Sequence, residues 1–174
     1  ATQVADRTEL DTFRGEVRDW LEQNCPAGAR NVPQKMDSGF WGGRNPVYPS
    51  EDRKVWFERM AARGWTAPDW PKEYGGGGLD PARARVLKQE MQRIGAVEPL
   101  QSLGLMMLGH ALLKFGTEEQ KLEHLTNITQ GKIRWAQGYS EPGAGSDLAS
   151  VQTRGEDKGD HFLVNGQKIW TTYG

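Results

Sequence analysis

Two hydroxyl donors, Ser140 and Ser146, flank a Pro142-Gly143-Ala144-Gly145 turn within Trp135 to Asp147, W-A-Q-G-Y-S-E-P-G-A-G-S-D. Pro142 has no N–H to give and stops any ladder that precedes it. Glycines at 143 and 145 permit positive φ and let a second molecule approach the backbone closely. Successive backbone N–H groups in such a turn can form an anion-binding concavity, to which the two hydroxyls would add. That chemistry suits a phosphate-bearing ligand. The spacing is neither the dinucleotide fingerprint G-x-G-x-x-G nor a P-loop, since no Gly-Lys-Ser/Thr follows. A plain Gly/Pro loop between strands is the competing reading. Glu141 could serve as an acid–base group; beside Pro142 it reads better as an anchor of the turn.

A second stretch, N-G-Q-K-I-W-T-T from Asn165 to Thr172, adds a different chemistry. His161 to Val164 is strand-like, Asn165-Gly166 predicts a two-residue hairpin turn, and Lys168 to Tyr173 predicts the returning strand. Alternation along that strand puts Trp170 and Thr172 on one face. An indole beside a hydroxyl suits an apolar planar ring with polar edges; a Trp packed into a sheet core is the alternative. Ile133 to Ser140, with its Ile, Trp and Tyr, predicts the strand that leads into the first turn. Together the segments flanking Pro142 and Trp170 would wall a slot for a large, flat, phosphate-bearing cofactor.

The elements upstream that must support this slot are helical. Thr8, with Asp11 three residues on, predicts an N-cap, and Leu10, Phe13, Val17, Trp20 and Leu21 repeat at helical spacing. Asn24 to Pro49 reads as a long Gly/Pro/Asn-rich loop. Ser50 caps a second helix carrying Val55, Trp56 and Met60, closed by Gly64, with Glu51 and Asp52 where the helix dipole favours anions. Asp80-Pro81 opens a third, with Leu87, Met91 and Ile94 as its apolar line and Gly95 at its end. Pro99 to Phe115 is apolar nearly all round, predicting a helix buried on several sides. After Gly116, Thr117 and Gln120 predict a capping box. Leu122, Leu125 and Ile128 should then face inward, up to a stop at Gly131.

Composition narrows the function classes. With 174 residues the chain is long enough to bury one good core. A net charge of -1 and a pI near 6.4, with no basic stripe, argue against a nucleic-acid surface. The single Cys25 excludes an intramolecular disulfide framework. His110, His124 and His161 lack metal-ligand spacing and read as structural, so no metal site is expected. Mean hydropathy of -0.72 and the lack of a long uncharged apolar run predict no membrane span, and the first ten residues hold no signal-peptide h-region.

Four strings in order resemble the acyl-CoA dehydrogenase family: W-P-K-E-Y-G-G (Trp70 to Gly76), F-G-T-E-E-Q-K (Phe115 to Lys121), Q-G-Y-S-E-P-G-A-G-S-D-L-A (Gln137 to Ala149) and N-G-Q-K-I-W-T-T. The resemblance implies an α+β chain. An N-terminal antiparallel helical bundle (1–131) would be followed by the start of an antiparallel β-barrel or sandwich domain (132–174). It also implies that these residues are an N-terminal portion, the family's C-terminal four-helix domain not being among them. Family members bind FAD and dehydrogenate an acyl-CoA to the trans-2-enoyl-CoA, a glutamate taking the α-proton while hydride leaves Cβ for the flavin. That glutamate lies in the C-terminal domain, so no catalytic base is expected in this chain. Electron-transfer flavoprotein as acceptor and a homotetramer or homodimer, with a heterotetramer as variant, complete the implied setting, in a bacterial cytoplasm or mitochondrial matrix. A same-fold flavin oxidase or monooxygenase, and a non-catalytic partner subunit of a heteromeric dehydrogenase, are the alternatives.

Residue by residue, the resemblance places the backbone of Gln137, Gly138, Tyr139 and Ser140 along the flavin's pyrimidine edge, the Tyr139 N–H and the Ser140 hydroxyl donating. Gly145 and Ser146 would meet the pyrophosphate, Ser146 also touching the CoA moiety. Trp170 would pack on the isoalloxazine, with Thr171 beside it and Thr172 donating toward N5. Leu103 and Met107 would line the acyl pocket, or simply fill the helical core. Ser140 stands where many relatives carry Thr, which keeps the hydroxyl.

Overall fold

The computed structural model describes residues 7–33 and 39–171. The chain divides into two compact units, Ala1–Arg134 and Trp135–Gly174. In the first unit the α-helices among the described residues are α1 (Arg7–Asn24), α2 (Glu51–Ala62), α3 (Pro81–Arg93), α4 (Gly109–Phe115) and α5 (Glu118–Thr129).

Local chemistry fixes where three of them start. Ser50 Oγ accepts from the Arg53 N–H at 3.2 Å. Asp80 Oδ1 accepts from the Ala82 and Arg83 N–H groups at 2.9 and 3.0 Å, with Pro81 in the first turn. Thr117 and Gln120 form the reciprocal capping box. Each cap supplies acceptors to N–H groups that a helix start leaves unpaired. Thr8 is not a cap, because α1 already includes Arg7; its carbonyl instead accepts from Thr12 Oγ1 at 2.9 Å. Gly64, Gly95 and Gly131 follow α2, α3 and α5 at φ of 70°, 64° and 61°, the left-handed conformation that closes a helix.

The main core gathers Val17, Leu21 and Cys25 of α1 and the following residue, Ala29, Trp56 and Met60 of α2, and Leu87 and Met91 of α3, with Trp65, Ile94 and Val97. Trp56 is fully buried, and its indole N–H donates to the Val97 carbonyl at 2.9 Å. Trp20 packs edge-on to Trp65 at 4.8 Å, and the Arg63 guanidinium lies 4.2 Å from the Trp65 ring centroid. A smaller cluster of Phe40, Phe57 and Leu100 adjoins Tyr48, which stacks on Phe40 at 4.4 Å.

α1 and α3 run parallel: the pairs Glu9–Arg83, Arg14–Glu90 and Glu22–Arg93 advance together along both helices. The expectation of an antiparallel bundle does not hold for this pair. At its centre Glu90 is 2% exposed. Its carboxylate accepts from Arg14 at 3.0 Å, from Arg18 at 3.0 and 3.1 Å and from Arg93 at 2.6 Å. Arg18 above all, then Arg93 and Arg14, outweigh the cost of burial and hold the carboxyl at about 2.

Trp70 to Gly76 forms a knot beneath α4 and α5. Tyr74 Oη donates to the Glu118 carboxylate at 2.8 and 2.9 Å, and Thr129 Oγ1 donates to the Tyr74 carbonyl at 3.2 Å. Gly109 is the α4 residue that admits the buried Trp70, whose ring a Cβ there would overlap. The predicted helix over 99–115 is shorter: after Ser102 Oγ accepts from the Gly104 N–H at 3.0 Å, a π-helical turn spans Gly104–Leu108 and leads into α4. Nor is it buried on several sides. Leu103 and Gly104 are buried, Gly104 close against Ile128 of α5, while Met106 and Met107 are 54% and 47% exposed. Leu125 and Ile128 face inward as expected, but Leu122 lies outside the α5 contact and is exposed.

In the second unit β1 (Arg154–Asp157) pairs antiparallel with β2 (Phe162–Asn165), in the register Arg154↔Asn165 to Asp157↔Phe162. This pairing moves the hairpin turn from Asn165-Gly166 to 158–161. There the Lys158 N–H donates to the His161 carbonyl at 2.9 Å and Gly159 takes a φ of 97°. Gly166 instead lies against Thr153 at the open end of the hairpin, where a Cβ would overlap Thr153 Oγ1. Consequently 168–171 is not a returning strand. Residues 133–140 are also outside any strand among the described residues, although 133–138 alternate between half-buried and exposed as an extended segment does.

Candidate functional site

The two motif segments lie side by side. Ile169 N–H donates to the Ser140 carbonyl at 2.9 Å. Lys168 Nζ donates to the Tyr139 carbonyl and to Glu141 Oε1, both at 2.9 Å. A Cβ built on Gly138 would sit 3.4 Å from Lys168 Cγ, so contact extends along 138–141. The loop at Pro142 is closed by its own backbone: Glu141 N–H donates to the Ala144 carbonyl at 2.8 Å and Ala144 N–H to the Glu141 carbonyl at 3.0 Å.

Glu141 is an anchor. Its buried carboxylate accepts from the Gln152 and Thr153 N–H groups at 2.7 and 2.9 Å as well as from Lys168, so the Pro142 loop, the entry to β1 and the 168–169 segment meet on one side chain. Hydrogen bonding from Thr153, Gln152 and Lys168 holds the carboxyl well below the usual range, at about 2. A group so fully engaged is a poor proton acceptor near neutral pH.

Gly143 and Gly145 keep negative φ, contrary to the conformation their residue type allows. Nor does the chain crowd them: a Cβ built on either meets nothing within 4 Å, so neither backbone conformation nor packing within the chain requires glycine there. The Gly145 and Ser146 N–H groups and the Ser140 and Ser146 hydroxyls make no hydrogen bond among the described residues. Trp170 takes a φ of 52°, rare for a bulky side chain, and its indole is 84% exposed. Gln137 and Ser140 are half-buried, while Gly138, Tyr139 and Thr171 are exposed. Thr172, expected beside Trp170, lies outside the described residues.

Unspent neutral donors at Ser140, Gly145 and Ser146, together with an exposed indole one residue from the Ser140–Ile169 contact, are groups that a flat ligand carrying a phosphate can use. Leu103 and Met107 belong to the first unit, where Leu103 is buried and Met107 faces outward. Two sets of contacts were not legible in the sequence. Lys168 carries no signal of its own beyond its place in N-G-Q-K, and the carboxylate partners of Arg14 and Arg18 lie more than 70 residues away in sequence. Among the described residues no His, Cys, Asp and Glu cluster could hold a metal ion, and no helix is long and apolar enough to cross a membrane.

Comparison with known proteins agrees with these strings and with the helical unit. The family profile "Acyl-CoA dehydrogenase, N-terminal domain" matches residues 7–132. The chain is 39% identical over 164 residues to acyl-CoA dehydrogenase IpdE1 of Mycobacterium tuberculosis, covering 94% of this chain and 41% of that protein. It is similar to the solved Tcur3481-Tcur3483 steroid ACAD, with a TM-score of 0.60 and 37% identity over 96% of this chain and 40% of that one. It is similar also to the ChsE4-ChsE5 complex from Mycobacterium tuberculosis, with a TM-score of 0.60 and 30% identity over 99% of this chain and 40% of that one. The chain thus spans about two fifths of the length of these relatives. A profile match over most of the chain, ordered motifs and a shared helical fold lead to one conclusion: this chain belongs to the acyl-CoA dehydrogenase family.

Proposed function

We propose that the protein binds FAD and dehydrogenates an acyl-CoA thioester between Cα and Cβ to the trans-2-enoyl-CoA, passing electrons to an electron-transfer flavoprotein. The observation that carries this reading is the adjoining of 138–141 and 168–170, which sets unspent donors next to an uncovered indole. Tyr139 N–H and the Ser140 hydroxyl would hold the flavin's pyrimidine edge, and Gly145 and Ser146 the pyrophosphate, with Ser146 also reaching the CoA. Trp170 would cover the ring, with Thr171 and Thr172 at its edge, and Leu103 and Met107 would belong to the acyl wall. Bound FAD supplies the hydride acceptor. The chain's own residues orient it through neutral, preorganised donors that need no rearrangement as charge moves. None of the carboxylates in this chain is assigned the role of proton-abstracting base.

Ser140→Ala combined with Trp170→Ala in the full-length protein should weaken FAD binding by about ten-fold or more, since one hydrogen bond and one aromatic contact each contribute roughly 1 kcal/mol. Titrating apoprotein with FAD and following flavin fluorescence measures this. Unchanged affinity in the double variant would remove the site. The 174-residue chain by itself should bind FAD weakly and show no dye reduction with an acyl-CoA; turnover by this piece would mean that a base had been missed here. A second reading is favoured by the two-protein composition of both solved relatives: this chain is one subunit of a heteromeric dehydrogenase. Co-purification of a second, different dehydrogenase chain with the tagged full-length protein supports it, and a homo-oligomer with full activity excludes it.

A further inference from the structure

Lys168 is an ammonium spent on a backbone carbonyl. It donates to the Tyr139 C=O at 2.9 Å, while its other contact, Glu141 Oε1, also accepts from the Thr153 N–H and Glu141 Oε2 accepts from the Gln152 N–H. All peptide bonds of the described chain are trans, so the Tyr139 C=O and the Ser140 N–H of the same peptide point in opposite directions. With the carbonyl turned toward Lys168, the Ser140 N–H is directed away from the clamp. That N–H has no hydrogen-bond partner among the described residues. The next peptide is fixed in the same manner: the Ser140 carbonyl accepts from Ile169 N–H, and the Glu141 N–H is used by Ala144. The Ser140 N–H is therefore the one amide of the 140–141 pair left unspent and turned away from Lys168, in a peptide whose carbonyl end carries a cation.

We propose that Lys168 is a positioning residue that orients and polarises the Tyr139–Ser140 peptide, making the Ser140 N–H a strengthened donor to the flavin's pyrimidine edge. This rests on the FAD reading above. A cation on the carbonyl end draws electron density along the amide and strengthens the hydrogen bond at its N–H end, as chained hydrogen bonds polarise one another. A donor at that edge favours the ring more when it is reduced and electron-rich than when it is oxidised. Lys168 touches neither ring nor substrate in this scheme; its effect passes through one peptide. Glu141 fixes the ammonium from the other side, which explains a side chain that is only partly exposed and bonded twice.

The test uses the full-length flavoprotein and its two-electron reduction potential, measured by spectroscopic titration against a redox dye. Lys168→Met should bind reduced FAD about ten-fold less tightly relative to oxidised FAD, a fall of about 30 mV for a two-electron couple. Lys168→Arg, which keeps the cation, should recover most of that fall, and Glu141→Gln, which leaves the contact to Tyr139, should shift the potential less than Lys168→Met. A Lys168→Met protein that carries normal FAD at the wild-type potential overturns the inference. If Met at 168 costs the cofactor altogether, Lys168→Gln carries the same comparison, and a wild-type potential there overturns it equally. Wild-type protein that binds no FAD would defeat the flavin reading itself, a result distinct from FAD bound with an unmoved potential.

Discussion

Trp56→Ala should destabilise the protein by about 3–5 kcal/mol, the range for removing a fully buried aromatic from a packed core. Trp56 has no exposed surface and stands where α1, α2 and α3 meet, touching the cluster that includes Leu21, Met60 and Leu87. Its neighbours are parts of rigid helices, so the cavity left behind would not close by local collapse. The Val97 carbonyl would also lose its indole donor. Trp56→Phe separates the two effects: the ring is mostly kept and the hydrogen bond is not, which should cost about 1–2 kcal/mol. Urea unfolding of both variants measures this, and the ranking Ala well below Phe is the decisive outcome. An Ala variant within about 1 kcal/mol of wild type would mean that the three-helix junction is loosely packed.

Glu90→Gln should cost about 3 kcal/mol, the low end of the range for breaking a buried ion pair. The low end applies because Arg14, Arg18 and Arg93 each keep part of their surface in water and can be rehydrated. An acid limb of stability follows from the same site. The native carboxyl sits at about 2, whereas a glutamate in an unfolded chain titrates near 4.3. As pH falls the unfolded chain takes up the proton first, so the contribution is complete above roughly pH 5 and is withdrawn toward pH 2. Melting temperatures of wild type and Glu90→Gln should therefore draw closer between pH 5 and pH 3, the rest of the gap closing only toward pH 2. Glu141 is depressed in the same direction, so some acid sensitivity remains in the variant. A gap between the two proteins that stays constant over this interval would assign the stability of α1 on α3 to packing instead.

Where local chemistry decides, the sequence was legible. Ser50, Asp80-Pro81 and the Thr117/Gln120 box place helix starts through contacts two or three residues long, and no distant element had to be guessed. Motif order was readable too, but the adjoining of the Pro142 and Trp170 segments was expected through two strands and is made instead by one backbone hydrogen bond and the Lys168 side chain. Pairing partners were not readable. Asn165-Gly166 has the residues of a hairpin turn, yet β2 pairs backward with R-G-E-D, a polar stretch with no strand pattern. The Gly at 166 answers to close contact with Thr153. Likewise an apolar run cannot say which of its sides is covered. Leu103 went inward and Met106 outward because α5 lies over only one side of the π turn. Nothing in the spacing of Arg14, Arg18 and Arg93 points to Glu90, which sits among them on the same helix stripe as Leu87 and Met91.

Burial of the lone thiol has a practical use. Cys25 is 5% exposed at the junction after α1, beneath Arg30, whose guanidinium donates to the Leu21, Glu22 and Cys25 carbonyls. Burial also pushes its pKa up, so little thiolate exists while the helix end stays shut. Alkylation by a small iodoacetamide would then proceed only at the frequency with which this corner breathes open. The chain thus carries its own stopwatch for local unfolding, one that ticks without any engineered label and could be read by mass spectrometry while cofactor, partner or pH is varied.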